Sequence, residues 1–248
     1  MNLRRTLAWI EPDSAPDSFP DPRCAWRQPN GLLAAGGDLA PARLLAAYRQ
    51  GIFPWYSAGE PILWWSPDPR AVLLPEEFHC SRRLGRTLRS GRFAVSVDQC
   101  FGRLIRLCAS TRAAHGTWLV PAMIEAYQTL HALGWAHSIE VWRDGELAGG
   151  VYGVALGGVY FGESMVSLQP DASKVALASL VRIAADTGIG LIDCQVPNGH
   201  LARLGSRLLP REEFLARLAD LVATGPVHRL QAMAPRRTGA ELTGGNRS

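Results

Sequence analysis

The residues of this chain best suited to chemistry lie in the stretch Leu191–His200, which places an aspartate and a glutamine two positions apart. The pattern predicts a short strand over 191–196 that breaks at the proline that follows. Alternate side chains of a strand share a face, so Asp193 and Gln195 should project together while Val196 and the other apolar residues face a core. Burying an unpaired carboxylate or amide is costly. The pair therefore suits the positioning of an amine nucleophile, and a solvated strand face that ends in a turn is the alternative interpretation.

Composition describes a folded protein of 248 residues with a formal charge of +4, in which Lys174 is the only lysine. The five cysteines are odd in number and form no Cys-x-x-Cys pair or zinc-ligand spacing, which favours a reducing cytosol. The N-terminus lacks a signal-peptide pattern. The longest uncharged run, 147–162, is too short for a membrane span and is interrupted by glycines. We therefore expect a cytoplasmic protein without a membrane segment.

The N-terminal part of the chain concentrates prolines and tryptophans and indicates a small domain over 1–70. Its one clear helix is predicted at about 41–50, with Asp38 as its cap. A larger domain should follow over 71–233, and the Gly-, Thr- and Arg-rich tail over 234–248 is expected to be disordered. Further elements of the larger domain are strands at 71–74 and 93–97 and helices at 81–89, 100–108, 121–133 and 211–222.

The second half of the larger domain carries the most regular pattern. Three strands at 138–142, 147–156 and 159–163 are joined by Asp-Gly and Gly-Gly turns and predict an antiparallel meander. A helix at about 173–187 and the 191–196 strand complete a β-β-β-α-β order. That order is compatible with an acyltransferase fold of the GNAT type and equally with other α+β domains.

Eight short motifs together point to a known family. They occur in chain order at Pro29–Leu39, Tyr48–Tyr56, Trp64–Arg70, Gly116–Trp118, Ala136–Ser138, Gly162–Met165, Ala172–Lys174 and Ile192–Val196. In this combination the chain closely resembles the leucyl/phenylalanyl-tRNA–protein transferase family, over about residues 3–222.

The resemblance implies both a reaction and a fold. The reaction is transfer of Leu or Phe, and less well Met, from aminoacyl-tRNA to an N-terminal Arg or Lys of an acceptor protein, which marks the product for degradation. The fold implied is α+β: a small N-terminal domain followed by a GNAT-like acyltransferase domain with a mostly antiparallel sheet. No metal and no organic cofactor is implied, and a monomer is our expectation because no interface pattern stands out.

The resemblance also assigns roles to individual residues. Gln195 orients the attacking amine through its side-chain oxygen, and Asp193 supports the proton movement. Glu163, at the end of a predicted strand, contacts either the amino group of the donor or the basic side chain of the acceptor. A glutamate that only bridges loops is the alternative.

Three aromatic residues and one asparagine are the remaining substrate-binding candidates. By the resemblance, Trp55, Trp118 and Tyr127 line the donor site, although aromatic residues are ordinarily core residues and Tyr127 lies on the apolar face of its helix. Asn198 follows the catalytic strand and is either a substrate anchor or a turn residue.

The densest basic cluster lies in and just after the helix predicted at 81–89. Its members are Arg82, Arg83, Arg86, Arg89 and Arg92. A solvated helix face is the ordinary interpretation. Because the implied substrate carries phosphates, we hypothesise that these arginines hold the acceptor stem of the tRNA by its backbone.

Two departures from the family pattern bear on donor preference. Val166 and Leu168 follow the Gly162–Met165 motif where Phe and often Arg are expected, and Leu180 stands where some relatives carry an aromatic residue. These residues leave open whether Leu or Phe is the preferred donor, whereas the reaction itself is not in question.

Two rival functions remain. One is an acyl-CoA-dependent N-acyltransferase, which needs a glycine-rich loop that is missing between 164 and 172, and the other is a non-catalytic tRNA-binding protein.

Overall fold

The computed structural model describes residues 6–111 and 118–223 and the backbone of 237–238. Its strands are β1 (Ala8–Ile10), β2 (Leu32–Gly36), β3 (Phe53–Pro54), β4 (Leu63–Trp65), β5 (Arg70–Leu73), β6 (Ala94–Val97), β7 (Ala136–Arg143), β8 (Glu146–Leu156), β9 (Val159–Ser167), β10 (Leu191–Gln195), β11 (Arg207–Leu209) and β12 (Arg237–Thr238). Its α-helices are α1 (Pro41–Arg49), α2 (Arg82–Arg89), α3 (Phe101–Ser110), α4 (Pro121–Ala132), α5 (Ala172–Thr187), α6 (Gly199–Ala202) and α7 (Arg211–Ala223).

The first sheet contains the four strands that precede residue 70, in the order β1-β2-β4-β3. The helix α1 begins at Pro41, whose fixed φ suits a first helical turn. We predicted Asp38 as the N-cap of α1, but the cap position is Ala40. The Asp38 carboxylate instead accepts the Ala40 N–H and pairs with the buried Arg43.

After α1 the chain turns at Gly51, where φ is +70° and a Cβ atom would lie 2.8 Å from the ring of Phe214. Only glycine fits this position, and it lets α1 dock closely against α7.

The second sheet has eight strands in the order β11-β5-β10-β9-β8-β7-β6-β12. Strands β7, β8 and β9 form the predicted antiparallel meander, with positive φ at Asp144 and Gly145 in the first turn. The helix α5 then carries the chain back across the sheet, so that β10 pairs parallel to β9 and antiparallel to β5. The predicted β-β-β-α-β order and the α+β class are therefore confirmed.

Helices cover both faces of this second sheet. The helices α1, α3, α4 and α7 share one apolar core with the first sheet, and their innermost side chains include Leu44, Leu104, Leu130 and Phe214. The helices α2 and α5 share the other core with the opposite face. The catalytic candidates lie where the pairing of β9 with β10 ends.

Most of the predicted elements match the structure within a few residues, including α2, α4, α5 and α7. The tail predicted as disordered over 234–248 lies outside the described residues, except for 237–238, which pairs antiparallel with β6. No helix within 6–111 and 118–223 is both long and apolar enough to cross a membrane.

Candidate active site

A cleft opens where the parallel strands β9 and β10 separate. Their pairing runs from Leu191↔Val159 to Asp193↔Phe161. Beyond that point β9 continues along β8, whereas β10 shifts its register against β5 and ends at Gln195. A cavity of about 210 Å³ lies between the diverging ends.

The cavity is apolar on most sides and polar along one wall. Its apolar lining comes from β3 and the residue after it, from β8, β9, β10, α5 and α6, and from the segment before α4. The lining includes Phe53, Pro54, Trp55, Trp118, Val151, Met165, Leu177, Leu180, Ile192 and Leu201. Its polar wall includes Glu163, Asp193, Gln195 and Asn198. Such a cavity fits an apolar side chain whose reactive end reaches the polar wall.

Asp193 is fully buried and forms a two-point ion pair with Arg70 of β5. Arg70 Nε lies 2.8 Å from Asp193 Oδ1 and Nη2 lies 2.7 Å from Oδ2, and both side chains are 0% exposed. The Arg70 guanidinium also lies between two rings, 4.8 Å from the centroid of Phe53 and 4.6 Å from that of Phe214. The paired geometry satisfies a carboxylate that could not otherwise be buried.

Gln195 has a left-handed backbone conformation, with φ of +63°. Its backbone N–H donates to Asp193 Oδ1 at 2.9 Å, which holds this uncommon conformation in place. Its side-chain Nε2 donates to Glu163 Oε1 at 2.9 Å. The Arg70–Asp193 pair thus fixes the backbone of Gln195, and Glu163 fixes its side chain.

Glu163 is the second buried carboxyl group of the site. Tyr48 Oη from α1 lies 2.8 Å from Glu163 Oε1, and Tyr127 Oη from α4 lies 2.7 Å from Oε2. Burial raises the pKa of Glu163 to about 7; the hydrogen bonds from Tyr127, Tyr48 and Gln195 oppose this rise, and the nearby charge of Asp193 adds to it.

The structure brings five of the seven catalytic and substrate-binding candidates onto the polar wall or the mouth of the cavity. Trp55 is 42% exposed and its ring lies 5.8 Å from that of Trp65, which leaves an aromatic surface at the mouth. Asn198 lines the cavity but also caps α6, because its Oδ1 accepts the N–H of His200.

Of the other two aromatic candidates, Trp118 lines the cavity and Tyr127 lies behind it. Tyr127 is 0% exposed and contacts Glu163 from behind the cavity. Trp118 packs edge-on against Tyr127, with 6.4 Å between the ring centroids, and presents its other side to the cavity. Tyr127 therefore positions the polar wall and does not form it. The Gly116–Trp118 motif is described only at Trp118.

Two of our sequence expectations around this wall need correction or addition. Val196 was expected in a core, yet it is 37% exposed, because β10 ends at the left-handed Gln195 and alternation stops there. Arg70 and Tyr48 are site residues that we did not predict from the sequence. Both lie inside the quoted family motifs, and Arg70 is conspicuous as a charged residue that opens an otherwise apolar strand.

The arginine cluster lies on the exposed side of α2 and in the turn after it. Arg83 lies 3.5 Å from Asp171 at the start of α5, and Arg92 donates to the carbonyl of Pro170. The same helix α5 lines the cavity further along, with Leu177 and Leu180. One helix thus connects the basic surface with the cavity.

Among the described residues no group of three or more His, Cys, Asp or Glu side chains could hold a metal ion.

Comparison with known proteins adds to this geometry. A family model described as leucyl/phenylalanyl-tRNA protein transferase matches residues 72–219, and a model of the N-terminal domain of the same family matches residues 37–68. The chain belongs to this family. A leucyl/phenylalanyl-tRNA–protein transferase from Chromohalobacter salexigens is 56% identical over 231 residues, which cover 93% of this chain and 90% of that protein.

Two further members of the transferase family are similar to the same degree. The protein of that name from Nitrosospira multiformis is 54% identical and covers 87% of this chain and 92% of its own length. That from Anaeromyxobacter sp. is 58% identical and covers 81% and 86%. A solved C-terminal domain of a protein described as a lysylphosphatidylglycerol synthetase, from Agrobacterium fabrum, covers 75% of this chain and 57% of its own at 10% identity. Its TM-score of 0.37 is too low to support any argument.

Proposed function

We propose that this protein transfers Leu or Phe, and less well Met, from aminoacyl-tRNA to the N-terminal amine of proteins that begin with Arg or Lys. The observation that carries the proposal is the apolar cavity whose one polar wall holds Asp193, Gln195 and Glu163. The name of the transferase family supports a leucyl- or phenylalanyl-tRNA donor and a protein acceptor. In this proposal the protein acts as a cytoplasmic monomer, and its product enters protein degradation.

The reaction is the aminolysis of an ester that is already activated. The amine nitrogen attacks the ester carbonyl carbon, an N–C bond forms, and the C–O bond to the terminal ribose breaks. An α-amine has a reference pKa near roughly 8, so a useful fraction is neutral at pH 7. The protein therefore has to align two reactants and stabilise the charge that develops between them.

Gln195 is the residue that we assign to the alignment of the amine. Its Nε2 is held by Glu163, so the side-chain oxygen is free to accept a hydrogen bond from the attacking amine. Both oxygens of Asp193 are engaged by Arg70, and one of them also accepts the Gln195 N–H. Asp193 accordingly acts in this proposal by holding Gln195 in position.

The apolar part of the cavity fits the donor side chain. Leu177 and Leu180 of α5 and Val151 of β8 supply branched aliphatic walls without charge. A pocket of this kind discriminates by shape, and one methylene group changes binding by roughly 1–3 kcal/mol. In this proposal Trp55 stacks on the terminal base of the tRNA, and Trp118 covers the aminoacyl group.

The arginines of α2 and the following turn are our candidates for the tRNA backbone site. All five members of the cluster are exposed, and α5 connects their surface to the cavity. Phosphate contacts of this type would place the acceptor stem so that its end enters the cleft between β9 and β10.

The test is transfer of labelled Leu and Phe from charged tRNA to a peptide that begins with Arg. The matched control is the same peptide with an acetylated N-terminus, which has no amine to attack. We expect transfer to the free peptide only, and its loss in folded Asp193→Ala. If tRNA binds but no label moves, the protein is a tRNA-binding protein and the proposal is wrong.

A further inference from the structure

Tyr48, Tyr127 and Glu163 form a closed ring of three short oxygen–oxygen contacts. Tyr48 Oη lies 2.7 Å from Tyr127 Oη, Tyr48 Oη lies 2.8 Å from Glu163 Oε1, and Tyr127 Oη lies 2.7 Å from Glu163 Oε2. All three distances are hydrogen-bond distances for an O–H donor and an oxygen acceptor. A fully hydrogen-bonded ring therefore needs one proton in each of the three contacts.

The two tyrosines can supply only two of those three protons. Each hydroxyl carries one hydrogen. Burial raises the pKa of Tyr48 and of Tyr127 well above the ordinary value, so both hydroxyls keep their protons at neutral pH. When Glu163 is a carboxylate, both hydroxyls point at it, and the contact between the two tyrosine oxygens lacks a proton. A proton on the carboxyl group of Glu163 supplies the third.

The protonated ring satisfies every donor and acceptor around Glu163. The acid proton on Oε2 is donated to Tyr127, Tyr127 donates to Tyr48, and Tyr48 donates to Oε1. The Gln195 amide also donates to Oε1, which is then a carbonyl oxygen with two lone pairs. The carboxylate form is also possible, because in that form both tyrosines and Gln195 donate to it. Two proton occupancies of one rigid arrangement are therefore available.

We infer that Glu163 is the proton acceptor of the transfer reaction, and that Tyr48 and Tyr127 are positioning residues that hold it in two protonation states of one geometry. This inference rests on the proposed function. After the amine attacks, its nitrogen carries one proton too many, and Glu163 takes that proton. When the ester C–O bond breaks, Glu163 gives the proton to the departing ribose oxygen, so the carboxylate is restored and the step balances.

The location and surroundings of Glu163 suit this role. Glu163 lines the cavity beside Gln195, so an amine held by the Gln195 oxygen lies next to the Glu163 carboxyl. The ionisable groups that interact with it are Tyr48 of α1, Tyr127 of α4, Asp193 of β10 with its partner Arg70, and Tyr160 of β9. Tyr152 of β8 interacts with the two ring tyrosines. Burial raises the pKa of Glu163 to about 7, and a group with a pKa near the working pH can both take and return a proton.

Asp193 is a poor competitor for this role. Its two oxygens accept from the Arg70 guanidinium, and Oδ1 accepts the Gln195 N–H as well. An incoming proton would have to displace a buried ion pair with two short contacts, which is costly. The two buried carboxyl groups of the cavity wall thus have separate tasks: Asp193 holds Gln195, and Glu163 moves the proton.

Glu163→Gln is the decisive substitution, because it reproduces the protonated ring. The amide N–H of the new side chain donates to Tyr127, the two tyrosine donors are unchanged, and the amide oxygen accepts from Tyr48 and Gln195. If Glu163 only bridges its neighbours, this variant keeps its activity. If Glu163 accepts the proton, the variant binds both substrates but transfers the aminoacyl group much more slowly.

The experiment measures single-turnover transfer of Phe from charged tRNA to a peptide that begins with Arg, between pH 5.5 and about 9. For Glu163→Gln we expect the rate constant to fall on the order of 100-fold at pH 7.5, with KM for the charged tRNA unchanged within about 2-fold. The rise in rate through about pH 7 should disappear, whereas the rise near pH 8, which belongs to the peptide amine, remains. A rate within about 3-fold of the wild type, or an unchanged profile, would overturn the inference.

A second measurement covers the case in which the variant misfolds. Infrared difference spectra of the wild type alone, recorded at pH 5.5 minus pH 8.5, report the band of a buried protonated carboxyl group without use of the variant. We expect that band at pH 5.5 and its loss by pH 8.5, and a carboxylate band throughout would overturn the inference. Lack of transfer by the wild type itself would instead contradict the proposed function, so the two failures are distinguishable.

Discussion

Replacement of Arg70 by methionine isolates the contribution of the buried ion pair behind the cavity wall. Methionine fills much of the space between the Phe53 and Phe214 rings and keeps apolar contact with them. What it removes is the positive charge and the two hydrogen bonds to Asp193. The Asp193 carboxylate is then left buried without its partner.

The magnitude follows from the geometry of the pair. Both side chains are 0% exposed, and the two nitrogen–oxygen contacts measure 2.8 and 2.7 Å. Removing one partner of such a pair costs roughly 3–5 kcal/mol, because an unpaired charge stays in the interior. For a protein of this size each kcal/mol lowers Tm by about 2–4 °C. We therefore expect Arg70→Met to lower Tm by about 6–20 °C.

Thermal unfolding measures the change in Tm, and equilibrium unfolding in urea, monitored by tryptophan fluorescence, measures the free energy of unfolding. Arg217→Met is the matched control, since Arg217 also loses an ion pair, to Glu213, but both of those side chains are more than 40% exposed. Exposed pairs contribute less than about 1 kcal/mol. The double variant Arg70→Met/Asp193→Leu should recover part of the loss, because no buried charge remains unpaired.

The outcome that refutes this reasoning is a small effect. If Arg70→Met lowers the free energy of unfolding no more than Arg217→Met does, the carboxylate of Asp193 has another partner or is reached by water. If the double variant is no more stable than Arg70→Met alone, the loss comes from packing around the rings and not from the unpaired charge.

Three further predictions concern pH, tRNA and donor preference. Between pH 4.5 and about 7 the folded state keeps a proton on Glu163 that the unfolded chain has released, so the free energy of unfolding should fall by roughly 3 kcal/mol as pH rises through this range. Urea unfolding of Glu163→Gln should lack that fall, and the same dependence on pH in both proteins would contradict the prediction. Replacing Arg82, Arg83 and Arg86 by Glu should raise KM for aminoacyl-tRNA and flatten its dependence on salt, and an unchanged KM removes the assignment. Leu180→Phe replaces an aliphatic side chain in the wall of the cavity by a bulkier aromatic ring and should shift the preference from Phe toward Leu by about 10-fold or more. Competition between the two charged tRNAs measures the shift, and an unchanged preference would mean that Leu180 does not line the donor pocket.

The parts of the fold that depend on local sequence could be predicted. Pro at the start of α4, the Asp-Gly and Gly-Gly turns of the meander, and the apolar face of α5 each act within a few residues. The proximity of Asp193 and Gln195 also followed from a local rule, the alternation of a strand. The local rule failed where it met a bulge: Gln195 has a positive φ, and Val196 is consequently exposed.

The contacts that give the candidate site its chemistry are not local, and sequence patterns do not encode them. Arg70 and Asp193 are 123 positions apart, and their pairing depends on β5 lying beside β10. The apolar face of α4 predicted that Tyr127 is buried. It did not indicate that its hydroxyl meets Glu163, which requires both the docking of α4 and the end of the β9–β10 pairing.

The docking of α1 has a consequence for how this family can vary. Tyr48, which closes the ring with Glu163, comes from the N-terminal part of the chain, and so does Phe53, which covers Arg70. Neither half of the polypeptide contains a complete set of these groups. A chimera that joins residues 1–66 of one relative to the remainder of another should therefore be active only if both parents agree at these junction positions. The residues that contact each other between the two parts of the chain should therefore vary together, whereas exposed residues of either part can vary independently.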